Sequence, residues 1–292
     1  MRVTQNEIYR NFVSDIERFN ENLNTISKQL SSAKKLNQLK DSPAGVAKLV
    51  SLTDRKAETD QYSFNTDAET FSLQTADSAL NEVNNLVTSI YALGSQAGSG
   101  PVNQDTLATI ASEISNLRDQ ILSLANTQAN DRYIFAGTRT DIVPYVLNGG
   151  SVTYQGDGNV NTVTVDDGIE VNQSVPVSGA FNSIFGAISS LLTGVTASDV
   201  PGIRAALGQF SAALSALGQV RGRVGADLGL LQRTKSNLDL RSTDLQQQQS
   251  KVQDADMADV AVQLQQNQTA LNAAVTAAGA VLPQRNLFDI LG

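Results

Sequence analysis

Both ends of the chain carry apolar residues that recur in a heptad pattern. The N-terminal series comprises Tyr9, Phe12, Ile16, Phe19, Leu23, Ile26, Leu30 and Ala33. The C-terminal series comprises Leu231, Leu238, Leu245, Val252, Val260, Leu264, Leu271, Val275, Ala278 and Leu282. This spacing places the side chains in one narrow stripe along a long helix, as in a coiled coil. Such a stripe buries too little apolar surface for the helix to be stable alone, so each end requires a helical partner.

Further helices are predicted between the two ends. Because Pro43 follows Asp41 and Ser42, the pattern of a capped helix start, the first helix is expected over residues 1–40 and the second from about 43 to 98. A third helix fits residues 103–133, and helices are expected again from 181 and after Pro201. Arg221-Gly222-Arg223 predicts a helix break, with an anion site as the alternative.

Residues 134–180 differ in amino-acid composition from the rest of the chain. They contain seven Gly and nine Val among short alternating runs. Thr162-Val163-Thr164-Val165 followed by Asp166-Asp167-Gly168 predicts a strand and a tight turn. Val152-Thr153-Tyr154 before Gly156-Asp157-Gly158 predicts the same. This segment is therefore expected to be a small β insert in a helical protein.

The predicted fold is mainly α. It is a long antiparallel helical bundle or coiled coil with paired N- and C-terminal helices and a small inserted β domain. We expect three domains: a terminal coiled-coil domain of residues 1–42 and 252–292, a rod-like helical bundle of residues 43–135 and 182–251, and a β domain of residues 136–181.

The composition removes many catalytic chemistries. The chain of 292 residues contains no His, Cys or Trp, which excludes a Ser-His-Asp triad, imidazole ligation of a metal, disulfides and thiolate zinc sites. Its net charge of −8 argues against binding to nucleic acid or to anionic membranes. No apolar run reaches the roughly 18 residues of a membrane span, and the start lacks a secretory signal. We expect no enzyme activity, no cofactor and no metal.

Two pairs of carboxylates are the remaining candidates for chemistry. Asp166 with Asp167, and Asp254 with Asp256, are residue types found in metal sites and glycosidases. The first pair lies beside Gly168 in a predicted turn. The second lies at a predicted helix start, where acidic side chains are favoured by the helix dipole. A structural role is the expectation for both pairs.

The apolar stripes are the predicted functional site. We expect them to be completed by neighbouring subunits, with an ordinary intramolecular coiled coil as the alternative. The predicted subunit-interface residues are Phe12, Ile16, Phe19, Leu23, Ile26, Leu30, Leu238, Leu245, Val260, Leu264, Leu271, Val275, Leu282, Leu287 and Phe288.

Several motifs at the two ends resemble one family. Residues 30–33 and 41–45 resemble the N-terminal region of bacterial flagellins and their relatives. Residues 223–226, 256–259, 268–271 and 286–291 resemble the flagellin C-terminal region. Further motifs resemble the branch of this superfamily that joins hook and filament: residues 1–4, 133–138, 144–145 and 154–157.

The resemblance implies a structural subunit of the bacterial flagellum that acts as a junction between hook and filament. The implied partners are copies of itself in a ring, a neighbouring hook-associated protein on the hook side, and flagellin or a second junction protein on the filament side. A cytoplasmic export chaperone would bind the C-terminal helices. The implied location is extracellular, after export by the flagellar type III apparatus without a cleaved signal peptide.

Three alternatives stay open at this point. The nearest is the filament flagellin itself. An enzyme would use the carboxylates of the β insert, which would then form a concave pair with raised pKa values. A signalling coiled coil is disfavoured because the Gly- and Val-rich insert interrupts the helical hairpin.

Overall fold

The predicted mainly α architecture is confirmed. A computed structural model of the chain describes residues 2–38, 40–100 and 102–281. The helices of this described part are α1 (Arg2–Ser32), α2 (Pro43–Gly98), α3 (Gln104–Ala125), α4 (Ser178–Thr196), α5 (Val200–Gln253) and α6 (Met257–Val281). None of them is long and apolar enough to cross a bilayer.

Six short strands lie between α3 and α4 and form three separate antiparallel hairpins. The strands are β1 (Gln128–Ala129), β2 (Arg132–Tyr133), β3 (Tyr145–Asn148), β4 (Ser151–Tyr154), β5 (Thr162–Asp166) and β6 (Ile169–Asn172). Each strand pairs only with its neighbour in sequence, so the described strands form no larger sheet. The β insert is confirmed, and its β5–β6 turn contains Asp167 and Gly168 as expected.

The chain divides into two compact units. The terminal unit combines Met1–Glu58 with Ser242–Gly292, and the central unit is Thr59–Arg241. The three hairpins belong to the central unit together with the helices before and after them. The predicted three-domain division stays a prediction.

The central unit has an aliphatic core built from heptad positions. On α2 these are Leu73, Leu80 and Val87, and on α5 they are Leu217, Val224 and Leu231, all buried. Ion pairs flank this core on its surface, between Arg221 Nε and Asp77 Oδ1 at 3.1 Å and between Lys235 Nζ and Asp67 Oδ2 at 2.7 Å. Exposed pairs of this kind contribute about 0–1 kcal/mol each, so burial of the stripes supplies most of the stability.

The hairpins are attached to the helices by an aromatic cluster. The Tyr145 ring lies 5.2 Å from Phe181, 5.7 Å from Phe185 and 5.0 Å from Tyr154, measured between ring centroids. Phe135 lies 5.5 Å from Phe181. Five aromatic residues thus meet where the β insert contacts α4.

The first helix ends earlier than predicted. It was expected to run to residue 40, but α1 ends at Ser32 and Ala33 takes a left-handed φ of 55°. The following residues pair with a second helix break, because Lys35 N donates to Gln253 O at 2.7 Å and Ala255 N donates to Ala33 O at 3.0 Å. The predicted capped start of α2 is confirmed, since Ser42 Oγ accepts from the Gly45 amide at 3.1 Å.

The third helix also ends early, at Ala125 instead of residue 133. The Asn126 side chain bonds both backbone groups of Tyr145, accepting from its N–H and donating to its carbonyl oxygen, each at 2.9 Å. Asn130 and Asp131 then adopt φ values of 51° and 59°, which form the tight turn of the β1–β2 hairpin.

The predicted helix break at Gly222 is also wrong, because α5 continues from Val200 to Gln253 without interruption.

The loop after β4 is not a hairpin turn, contrary to expectation. Asp157 instead reaches back to residues 136–138: its Oδ1 accepts from Thr138 N at 2.7 Å, its Oδ2 accepts from the Thr138 hydroxyl, and its amide donates to Ala136 O at 3.1 Å. Bonding by Thr138 lowers the pKa of Asp157. The Tyr154 hydroxyl donates to Asp157 O at 2.7 Å. Gly137, with a φ of +72°, leaves the room that Asp157 needs.

Two tyrosines of the aromatic cluster are expected to respond oppositely to loss of the hydroxyl. Tyr145 Oη is buried without a hydrogen-bond partner among the described residues. Tyr145→Phe should therefore raise the free energy of unfolding by about 1 kcal/mol, whereas Tyr154→Phe should lower it by about 1–2 kcal/mol. Urea denaturation of the two variants measures both values, and a change of the same sign in both would contradict this assignment.

Candidate assembly interface

The terminal unit is built on an antiparallel pairing of α1 with α6. Lys34 and Asp254 form an isolated bridge at one end of the pair, where the α1–α2 connection and the α5–α6 connection meet. Farther along, Asn22 and Thr25 of α1 lie opposite Gln266 and Ala270 of α6. The N- and C-terminal helices are therefore paired, as the fold prediction states.

The structure divides the predicted interface residues by burial. Four are buried inside the chain: Ile26, Leu238, Leu245 and Val260. Six are half-buried: Phe12, Ile16, Phe19, Leu23, Leu264 and Leu271. Leu30 and Val275 remain exposed, by 40% and 56%. Leu282, Leu287 and Phe288 lie outside the described residues.

This division distinguishes two kinds of contact. Leu238 belongs to the central unit and is fully buried there, so its side chain packs within its own chain. On α1 and α6, by contrast, intramolecular pairing leaves most stripe positions partly exposed. A single partner helix covers only one flank of such a stripe. That these residues contact another subunit stays a prediction.

The pairing of α1 with α6 is also incomplete along part of its length. A cavity of about 420 Å³ lies between them, lined mainly by amide and hydroxyl side chains. Its lining residues are Asn22, Thr25, Ile26, Gln29, Gln263, Gln266, Asn267 and Ala270. Ile26 is the large apolar side chain in this lining, so apolar packing between the two helices is sparse along this stretch.

The candidate carboxylates are used structurally. Asp166 is mostly buried and accepts two bonds from Arg241, at 2.7 Å to Nη1 and 3.2 Å to Nη2. Asp256 Oδ1 accepts from the amides of Ala258 and Asp259, which caps the start of α6 as expected. The pKa of Asp157 is lowered by its bonds to Thr138, whereas the enzyme alternative predicted raised values in the β insert. The described residues contain no group of three acidic side chains able to hold a metal ion.

Sequence reasoning missed a buried acid in the central unit. Glu69 of α2 is 5% exposed, and its Oε1 has no hydrogen-bond partner in the described part of the chain. It lines a cavity of about 130 Å³ together with Ser174, whose hydroxyl is also buried and unpartnered there. Burial raises the pKa of Glu69 to about 7, opposed by Arg132 and reinforced by Asp227. A Glu within a helical heptad gives no sequence signal that would distinguish it from a surface residue.

Paired terminal helices with a partly covered apolar stripe, together with a helical unit that carries hairpins, define a mainly α protein with a small β insert. Comparison with known families identifies its class. The bacterial flagellin N-terminal helical region matches residues 3–140, and the bacterial flagellin C-terminal helical region matches residues 204–288. Together the two regions account for more than half of the chain. The chain belongs to the bacterial flagellin family.

Two curated relatives differ in how far the similarity extends. The chain is 29% identical over 186 residues to flagellar hook-associated protein 3 of Salmonella typhimurium, covering 60% of this chain and 58% of that protein. It is 30% identical over 122 residues to flagellin 1 of Proteus mirabilis, covering 41% of this chain and 33% of that protein. The chain thus matches less than two thirds of the length of either relative.

A solved structure supports the same fold. The crystal structure of Bacillus cereus FlgL aligns with a TM-score of 0.61 at 21% identity, covering 68% of this chain and 99% of that one. At this identity the likeness concerns the fold. It agrees with the mainly α architecture.

The buried Glu69 is expected to make stability depend on pH. Its pKa is raised from 4.5 to about 7 in the folded chain, so the native state binds more protons than the unfolded state between these values and stability falls as pH rises through them. The loss is complete above about pH 7 and is on the order of 3 kcal/mol. Glu69→Gln should remove it, which thermal unfolding from pH 4 to 9 measures.

Glu82→Gln is the matched control for this experiment. Glu82 is an exposed carboxylate on the same helix, so its replacement should leave the pH dependence of the wild-type chain in place. Equal pH profiles for the wild-type and Glu69→Gln chains would show that Glu69 is not the responsible group.

Proposed function

We propose that the chain is a structural subunit of the bacterial flagellum that joins the hook to the filament. The greater extent of similarity to a hook-associated protein 3 than to a flagellin supports the junction role. The proposed partners are copies of the same chain in a ring, a hook-associated protein on the hook side, and flagellin or a second junction protein on the filament side.

The observation that carries this proposal is the partial burial of the terminal stripes. Ile16, Leu23 and Leu264 remain half-buried after α1 has paired with α6, and Val275 remains 56% exposed. Stripes of similar spacing on neighbouring subunits can complete this burial by the same knobs-into-holes packing. A junction between two kinds of neighbour requires such a shared pattern, because both faces must mate with subunits of related sequence.

The proposal extends to the route of the chain and to its chemistry. We place the folded chain outside the cell, after unfolded export through the flagellar type III apparatus with a chaperone on the C-terminal helices. The helices of the described part unfold without reduction of disulfides, since the sequence contains no Cys. The work of the subunit is mechanical, and we assign it no catalytic role, cofactor, nucleic acid or membrane partner.

The filament flagellin itself is the second candidate function, and the match to flagellin 1 of Proteus mirabilis favours it. Gene deletion separates the two. Loss of a junction protein should release polymerised filament into the medium while hooks remain on the cells. Loss of flagellin should leave capped hooks without filament protein in the medium. Electron microscopy of the cells and immunoblotting of the medium measure the outcome, and a medium free of filament protein would contradict the junction role.

A charge in the terminal stripe is expected to block assembly without unfolding the central unit. Leu264 is half-buried on α6, so Leu264→Asp would bury a carboxylate in the completed interface at a cost of several kcal/mol. The amount of variant in isolated flagella should fall below detection, while the thermal transition of the central unit stays unchanged.

Gln265→Asp introduces the same charge at the neighbouring exposed position. It should be incorporated as the wild-type chain is. Normal incorporation of Leu264→Asp would overturn the assignment of this stripe to the subunit interface.

A further inference from the structure

The carboxyl group of Glu69 is enclosed between α2 and the segments that carry the hairpins. Its side chain is 5% exposed, and its Oε1 has no hydrogen-bond partner among the described residues. Ser174 lines the same cavity of about 130 Å³, and its hydroxyl is also buried and unpartnered in the described part of the chain. A carboxylate at this place would lose its hydration without gaining a donor, so the neutral, protonated form is favoured.

The β1–β2 hairpin covers Glu69 from the side opposite α2. The cavity lining includes Glu69 and Ser72 of α2 and, from the hairpin, Ala129, Arg132 and Tyr133. Ala129 is only 7% exposed and belongs to the apolar core of the central unit. The hairpin can therefore lie closely against α2 only while the enclosed carboxyl group tolerates surroundings from which water is largely excluded.

The other two hairpins are attached to the helices by contacts that do not involve Glu69. At the end of β5, Asp166 pairs with Arg241 of α5 at 2.7 Å. In β3, both backbone groups of Tyr145 are bonded by the side chain of Asn126, each at 2.9 Å. These attachments have no reason to change when the charge of Glu69 changes.

The hydrogen bonds of β1–β2 and the residue after it run, in the described part of the chain, to segments between α3 and α4. Tyr133 N donates to Thr140 O at 3.0 Å, and Arg132 Nε donates to the Thr140 hydroxyl at 3.1 Å. Ile134 O accepts from Val175 N at 3.3 Å. The contact of this hairpin with α2 thus depends on the residues around the Glu69 cavity.

Two charged groups act on Glu69 from the elements packed against it. Arg132 favours the ionised form, but it is exposed, so water and salt screen its charge. Asp227 of α5 favours the neutral form, and Tyr133 is the remaining titratable side chain of the cavity lining. Burial outweighs Arg132 and raises the pKa of Glu69 to about 7. Because the chain contains no His, this carboxyl group supplies the titration near neutral pH that an imidazole usually supplies.

We propose that Glu69 is a proton-dependent latch that holds the β1–β2 hairpin on α2. While Glu69 is neutral, the hairpin lies closed over it. When Glu69 loses its proton, the carboxylate requires water, and the hairpin moves away from α2 to admit it, whereas β3–β4 and β5–β6 stay attached. This goes beyond a pH dependence of overall stability, because the opening is assigned to one hairpin. The latch operates within a single chain and is independent of the junction role.

Labelling of single cysteines with a thiol reagent tests the latch, because the native sequence contains no Cys. Ala129→Cys places a thiol in the hairpin, where the reagent reaches it when the hairpin opens. Ala79→Cys is the matched probe on α2, since Ala79 is also a buried core alanine, 6% exposed, and reports unfolding of the whole central unit. At each pH, the labelling rate is divided by the rate of the same variant in urea, which removes the titration of the thiol itself.

The open fraction at position 129 should rise as pH rises towards neutrality. The closed hairpin binds more protons than the open one between the ordinary Glu pKa of 4.5 and the raised value of about 7, so opening is favoured about tenfold per pH unit in this range. The total rise should reach up to about 300-fold and level off above about pH 7. Position 79 should be labelled far more slowly than position 129 at every pH above this range.

Two variants identify the responsible group. Glu69→Gln keeps the shape of the side chain without its ionisation, so labelling of Ala129→Cys in this background should be independent of pH. Glu82→Gln removes an exposed carboxylate from the same helix and should leave the profile of Ala129→Cys in place.

Three outcomes would overturn the latch. The first is an open fraction at position 129 that does not change with pH. The second is an equal rise at positions 129 and 79, which would mean that the central unit opens as a whole. The third is a pH dependence that survives in Glu69→Gln. The first two comparisons retain the native Glu69, so they decide the proposal even if Glu69→Gln does not fold. None of these outcomes bears on the junction role, which gene deletion tests separately.

Discussion

Every long helix of this chain carries a narrow apolar stripe that must be covered along its length. In the central unit this requirement is met within one chain, because Leu73, Leu80, Leu217 and Leu231 are all buried. In the terminal unit it is met only in part, since most described stripe positions of α1 and α6 stay half-buried or exposed. The same sequence pattern thus gives a buried core in the central unit and a partly exposed stripe in the terminal unit.

Hydrogen bonds within the β insert connect two separate sequence motifs. Residues 133–138 and 154–157 both resemble segments of flagellin relatives, and they are bonded to each other in the fold. Asp157 and Tyr154 bind the backbone of residues 135–138, while Phe135 and Tyr145 insert their rings beside Phe181. Residues 154–157 supply the carboxylate of Asp157, and residues 133–138 supply Gly137, which leaves room for it.

Predictions from the sequence agree with the structure where the interactions join neighbours in sequence, and they fail where the partners are distant in sequence. The heptads, the cap at Ser42 and the β5–β6 turn depend on neighbours in sequence, and these predictions agree with the structure. The early ends of α1 and α3 depend on distant partners, such as Gln253 for Lys35 and Tyr145 for Asn126. The break expected at Gly222 was wrong because glycine weakens a helix without ending it when valine and leucine on the opposite side are buried. The raised pKa of Glu69 follows from burial that no local pattern announces.

The cavity between α1 and α6 is lined mainly by amide and hydroxyl side chains. Asn and Gln side chains carry no charge, so they neither titrate nor attract counterions. The chain has no His, the residue that most often titrates near neutral pH. The charge of this lining is therefore the same in acidic and in neutral solution.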